Sequence, residues 1–175
     1  IARAAIPYLV PNTSIFLDAG TTVMSLVRQL PNQHYTIVTS GANIAIELSQ
    51  RSRSTVSCVG GQISSSTLSL SGPQAEAFLA TVNIDTAVLA ATGYSTGAGF
   101  TVGSYTENSL KRRVIQKADK VILLIDRSKL GRTLPFTFAS LSDIDVVICD
   151  APLPEDFIQA ARAAGTEVLQ VQPAK

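Results

Sequence analysis

The run Asp18-Ala-Gly-Thr-Thr22 separates a short β-rich stretch, Ser14-Ile-Phe-Leu-Asp18, from a helical pattern. Gly20 allows close backbone approach, the first amides and dipole of a helix attract an anion, and the hydroxyls of Thr21 and Thr22 add donors. The same residues equally make an N-cap and a tight turn. No Gly-Lys-Ser/Thr follows at the spacing of a Walker A loop. Thr39-Ser-Gly-Ala-Asn43 repeats the arrangement after a second strand, so Thr39, Ser40 and Asn43 form another hydroxyl-bearing helix entrance. Two such entrances at adjacent strand ends suit a phosphate. Gly60 and Gly61 end a third strand, where they leave room for a ligand or turn the chain. Lys129 follows a later strand by three residues and can bring a mobile positive charge to the same edge, or stay solvated.

Groups for catalysis are scarce. His34 is the single histidine, placed at the start of a strand and therefore at the amino-terminal edge, which argues against a histidine base or metal site. There is no Gly-x-Ser-x-Gly elbow and no histidine partner for either cysteine. Cys58 and Cys149 each lie in a β-branched run and are expected to be buried, unpaired thiols. Lys111, Arg112 and Arg113 read as a solvated helical face or an interface. No catalytic residue, metal or cofactor is assigned.

The elements that must position these residues alternate between short β-rich runs and amphipathic helices, which predicts an α/β fold: a mostly parallel open sheet with helices on both faces. Val23, Leu26, Val27 and Leu30 follow the first strand at i, i+3, i+4 and i+7. Strands are predicted at 35–39, 54–59, 86–90, 121–125, 145–149 and 166–171, and helices near 42–49, 74–81, 104–118 and 155–164. Ser104 with Glu107 has the capping-box spacing, and Gly165 fits a left-handed cap. Residues 62–73 and the glycine-rich 91–99 read as irregular connections. In such sheets ligands bind at the carboxyl ends of strands.

The chain has 175 residues, enough for one domain. Its formal charge is +1 with no cationic run, which argues against a nucleic-acid-binding surface of its own. Charged residues make up 15% against 46% hydrophobic, which leaves apolar surface for self-association. The longest apolar runs are too short to span a membrane, no secretory signal is evident, and a cytoplasmic location is expected.

The order Ile15-Phe-Leu-Asp-Ala-Gly-Thr-Thr22, Ile37-Val-Thr-Ser40 with Asn43, Gly60-Gly61, Leu124-Ile-Asp-Arg-Ser-Lys-Leu-Gly131 and Asp145-Val-Val-Ile-Cys-Asp150 resembles the effector-binding domain of DeoR-family transcriptional regulators. The resemblance implies a bacterial repressor whose carboxyl-terminal domain senses a phosphorylated sugar or related metabolite. It implies operator DNA bound through a winged helix-turn-helix ahead of this chain, and a homodimer or homotetramer. Residues 1–13 would be the end of a linker helix and 14–175 the sensor domain. The implied fold is similar to ribose-5-phosphate isomerase and CoA-transferases.

An isomerase or deaminase-like enzyme is therefore the rival function, and an oligomerisation module a third. The isomerase's paired aspartates and loop lysine are replaced here by Ala91-Thr-Gly-Tyr94 and Thr96-Gly-Ala-Gly99, which favours binding without turnover. The implied site has Gly20, Thr21, Thr22, Ser40 and Lys129 on the phosphate. Asp18, Gly93 and Glu107 face sugar hydroxyls, although Asp18 equally suits pinning the turn.

Overall fold

A computed structural model describes residues 1–51, 53–150 and 152–172. The chain opens with a helical turn α1 (Ala2–Ala5) and a 3-10 turn (Ile6–Tyr8), then alternates β1 (Ser14–Leu17), α2 (Thr21–Val27), β2 (Thr36–Thr39), α3 (Ala42–Arg51) and β3 (Thr55–Cys58). A hairpin β4 (Gln62–Ile63) and β5 (Leu70–Ser71) precedes α4 (Pro73–Ala80) and β6 (Ile84–Ala90). Next come β7 (Gly93–Ser95), β8 (Gly99–Val102), α5 (Tyr105–Lys117), β9 (Ala118–Ile125) and a 3-10 turn (Arg127–Lys129). The chain ends with β10 (Phe136–Ala139), β11 (Val146–Asp150), α6 (Glu155–Ala164) and β12 (Glu167–Val171).

Seven strands form one sheet in the order β12-β11-β9-β6-β1-β2-β3, every neighbouring pair parallel. Both faces are covered, which is why the strands read as nearly continuous apolar runs. Phe16, Val38, Leu89, Leu123 and Val147 point to the side packed by α4, α5 and α6. Ile15, Leu17, Ile37, Val88 and Ile122 point to the side packed by α2 and α3. The first nine residues join that second cluster through Ala2, Ala5 and Leu9. Acidic side chains fix the sheet's start: Asp85 accepts from the amide and hydroxyl of Ser14, and Asp145 from the amide of Val121, each at 2.7 Å. Among the described residues no helix is long and apolar enough to cross a membrane.

Several expectations are corrected. The glycine-rich stretch is not an irregular loop: β7 and β8 make an antiparallel hairpin, and β10, not anticipated from the sequence, completes a three-stranded sheet. A Cβ on Gly93 would lie 2.6 Å from the Arg132 carbonyl oxygen, so glycine is needed for the chain to pass beneath residues 132–134. The segment after β3 also contains order, in the β4–β5 hairpin. Gly61 turns the chain there with φ +92°, and a Cβ would meet the Ser71 carbonyl oxygen at 2.3 Å. The capping box does not form. Ser104 bonds the hydroxyl of Thr106 instead, and Glu107 turns to Lys111.

The thiols differ as well. Cys149 is buried, and burial together with the neighbouring Asp150 pushes its pKa up to about 12. Cys58 is exposed, contrary to expectation, because β3 is the sheet's edge strand and carries no partner on its outer side. Titration of the native protein with a thiol-exchange reagent at pH 8 is expected to modify one cysteine, Cys58, and to modify Cys149 only after unfolding. Fast reaction of both thiols would contradict this packing.

Candidate functional site

The turns after β1, β6 and β9 converge with α5 and the β4–β5 hairpin around a cavity of about 200 Å3 at the carboxyl edge of the sheet. Gly20, Thr21 and Thr22 contribute one wall, Ala90, Ala91 and Thr92 the floor, and Glu107, Asp126 and Lys129 the charged rim. Thr67 and Ser69 of the hairpin close the remaining side. A larger concavity of about 770 Å3 lies along α1 and the outer side of α2. It shares Thr21 and Thr22 and has Arg3 as its one charged side chain, whereas the smaller one gathers Glu107, Lys111, Asp126 and Lys129.

Lys111, one of the lining residues, forms a buried ion pair with Asp18 beneath the cavity. Asp18 and Lys111 are each 2% exposed. The Asp18 carboxylate accepts from the Ala19 amide at 2.9 Å and the Ser40 hydroxyl at 3.2 Å on one oxygen. The other oxygen accepts from the Ala90 amide at 3.0 Å and from Lys111 Nζ. Lys111 Nζ also donates to the Ala90 carbonyl at 2.9 Å and lies 3.3 Å from Glu107 Oε1. Of the three ammonium hydrogens, two are donated to Asp18 and the Ala90 carbonyl, and Glu107 offsets the charge from the cavity rim. Burial disfavours the charged lysine, but Asp18 and Glu107 outweigh it and hold the Lys111 pKa above its ordinary value. The reading of Lys111 as part of a solvated face is thereby overturned, while Arg112 on the same helix is exposed.

Lys129 is placed by a local device. Asp126 Oδ1 accepts from the Ser128 amide at 3.0 Å and from its hydroxyl, which tightens the chain into the 3-10 turn that carries Lys129. Asp150 at the end of β11 accepts from the Arg127 amide at 2.6 Å and anchors the turn from the next strand. The spacing Asp-x-Ser-Lys is thus a turn that holds a lysine over the sheet edge. Among the described residues no carboxylate forms an ion pair with Lys129.

Of the residues singled out in the sequence, Gly20, Thr21, Thr22, Glu107 and Lys129 line the cavity. Asp18 and Ser40 lie beneath it, bonded to each other. Thr39, Asn43, Gly60, Gly61 and Gly93 are not among its lining residues. Thr39 accepts from the Gly41 amide and donates to the Leu17 carbonyl, so it shapes the turn. Asn43 Oδ1 is buried with no partner among the described residues. Lys111, Thr67, Ser69 and Asp126 were not singled out as site residues. Lys111 carried a readable signal, since Glu107, Lys111 and Val114 share the i, i+4, i+7 stripe of the buried face. Among the described residues no three metal-ligating side chains cluster.

Removing one member of the pair leaves the other as a buried, uncompensated charge. Lys111→Met and Asp18→Asn are each expected to cost about 3–5 kcal/mol in denaturant unfolding. The double variant should lose much less than the sum. The lysine's contribution is fully present below its unfolded pKa and is lost as pH rises through its higher folded value, so in the wild type it should fade only in strong alkali. Additive losses would show that the two groups do not act as a pair.

The chain is 35% identical over 97% of its length to the HTH-type transcriptional regulator GlpR of Haloferax volcanii and spans 66% of that protein. It is 30% identical over 97% of its length to the HTH-type transcriptional repressor GlcR of Bacillus subtilis and spans 65% of it. The chain therefore spans about two thirds of these relatives' length. In fold it is similar to a ribose 5-phosphate isomerase A from Methanocaldococcus jannaschii, with TM-score 0.53, 17% identity and coverage of 74% and 51% of the two chains. It is also similar to eIF2B beta from Chaetomium thermophilum, with TM-score 0.55, 14% identity and coverage of 83% and 46%. The model of the DeoR C-terminal sensor domain matches residues 1–151, and the chain belongs to that family of transcription-regulator sensor domains.

Proposed function

We propose that this domain senses a small phosphorylated sugar, and that ligand binding changes the DNA affinity of a repressor whose helix-turn-helix precedes this chain. The observation that carries the reading is the convergence of Lys129 with the hydroxyls of Thr21 and Thr22 around one small cavity. Lys111 is bonded to Asp18 and the Ala90 carbonyl and its charge is offset by two carboxylates, so it offers a ligand less than Lys129, which has no ion-pair partner among the described residues. Lys129 with the threonine hydroxyls suits a phosphate. Sugar hydroxyls then fall toward Glu107 and the Ala90–Thr92 floor. A volume of about 200 Å3 favours a ligand of few heavy atoms.

The same geometry favours binding over turnover. An isomerase needs a base free to move a proton next to the sugar, and a group to stabilise the enediolate. Here Glu107 faces a lysine held protonated, and Lys111 is bonded to Asp18 and the Ala90 carbonyl instead of standing free for a developing oxyanion. We therefore assign no catalytic residue. Regulation requires the sugar phosphate to bind one quaternary arrangement more tightly than another. The low charge content supports a homodimer or homotetramer as the responding unit.

A thermal-shift screen with inorganic phosphate and three- to six-carbon sugar monophosphates tests this. A ligand at 100 times its Kd stabilises by about 2.7 kcal/mol, a rise of roughly 5–11 °C for a domain of this size. Lys129→Ala should weaken binding at least about tenfold, the worth of one charge-assisted hydrogen bond. No shift with any phosphorylated compound, or unchanged affinity in Lys129→Ala, would refute the reading. Turnover of a sugar phosphate by the purified protein would favour the enzyme instead.

A further inference from the structure

We propose that the β4–β5 hairpin is a closing element of the cavity, with the Thr67–Ser69 hydroxyl pair donating its one remaining hydrogen to the bound phosphate from the side opposite Thr21 and Thr22. The proposal rests on the reading of the cavity as a phosphorylated-ligand site and adds the segment that would register occupancy.

Both residues line the cavity, and their hydroxyl oxygens lie 2.7 Å apart. Two hydroxyls carry two hydrogens, and the bond between them uses one. The second has no acceptor among the described residues and is available to an anion. Ser69 is buried despite lying in a hairpin of two-residue strands, because an isolated bridge to Gly41 holds it against the sheet edge.

The hairpin is seated at its β5 end by Leu70, buried in the core, and by the Ser71 hydroxyl donating to that of Thr106, while its tip is held by two backbone bonds. Leu70 donates to the Ser40 carbonyl at 2.7 Å, and Leu68 accepts from the Ala42 amide at 3.0 Å. Ser40 is the residue whose hydroxyl holds Asp18, so the hairpin rests on the turn that supports the buried pair. Leu68, between the two cavity-lining residues, has φ +54° and is 43% exposed. A leucine in the left-handed region is unfavourable, and such residues cluster at ligand clamps and switches. A segment with exposed apolar side chains and few anchoring bonds belongs to the low-stability end of a fold, the part a ligand can order.

The test compares wild type, Lys129→Ala and the double variant Thr67→Val/Ser69→Ala by calorimetric titration with inorganic phosphate and with the tightest sugar monophosphate of the screen. Amide exchange across residues 64–70 is followed in parallel. The double variant is expected to bind at least about tenfold more weakly. Saturating ligand should slow exchange of the Leu68 and Leu70 amides about tenfold or more in wild type, and fail to do so in the double variant. A merely structural role for the two hydroxyls would leave that ligand dependence intact. Thr137→Val, which removes a β10 hydroxyl that touches neither the cavity nor the β4–β5 hairpin, should bind as wild type. Wild-type affinity in the double variant alongside weakened Lys129→Ala would overturn the hairpin's role and leave the site standing. If wild type binds neither probe, the site and the hairpin proposal fall together.

Discussion

The buried contact between Asp18 and Lys111 is the constraint on which the carboxyl edge of the sheet depends. A carboxylate and an ammonium removed from water carry a desolvation cost of several kcal/mol each, tolerable only when their remaining hydrogen-bonding capacity is filled. Here it is filled by groups from separate elements: the Ala19 amide after β1, the Ser40 hydroxyl after β2, the amide and carbonyl of Ala90 at the end of β6, and Glu107 on α5. The requirement to satisfy one buried pair therefore sets the relative positions of three strand ends and a helix. The cavity is the space left above that junction.

Two kinds of positive charge result. Lys111 is buried, bonded to Asp18 and the Ala90 carbonyl, with its charge offset by two carboxylates. Lys129 sits on a turn shaped by Asp126 and anchored by Asp150, with no ion-pair partner among the described residues. Fixed and available charges line the same cavity.

Much of this was legible in the sequence. Parallel strands covered on both faces produce apolar runs such as Val121–Ile125, and the helices that cover them keep the 3.6-residue stripe. The Asp-x-Gly-Thr-Thr and Asp-x-Ser-Lys spacings pointed to the edge where the cavity lies, because turns that present polar groups need small and hydroxyl residues locally. What stayed hidden depends on partners distant in sequence. Lys111, in a run of three basic residues, looks solvated until Asp18, 93 positions away, is brought to it. Gly93 looks like loop flexibility until residues 132–134 pass over it. Cys58 looks buried until β3 turns out to be an edge, and β10 is four residues whose strand character comes from pairing with β8.

The most direct test of the account is an experimental structure of the protein with a sugar monophosphate bound. The account predicts the phosphorus atom between Lys129 and the hydroxyls of Thr21 and Thr22, with the sugar lying toward Glu107 and the Asp18–Lys111 pair unbroken beneath. A phosphate held elsewhere, such as in the open concavity along α1, or a ligand that displaces Lys111 from Asp18, would contradict it.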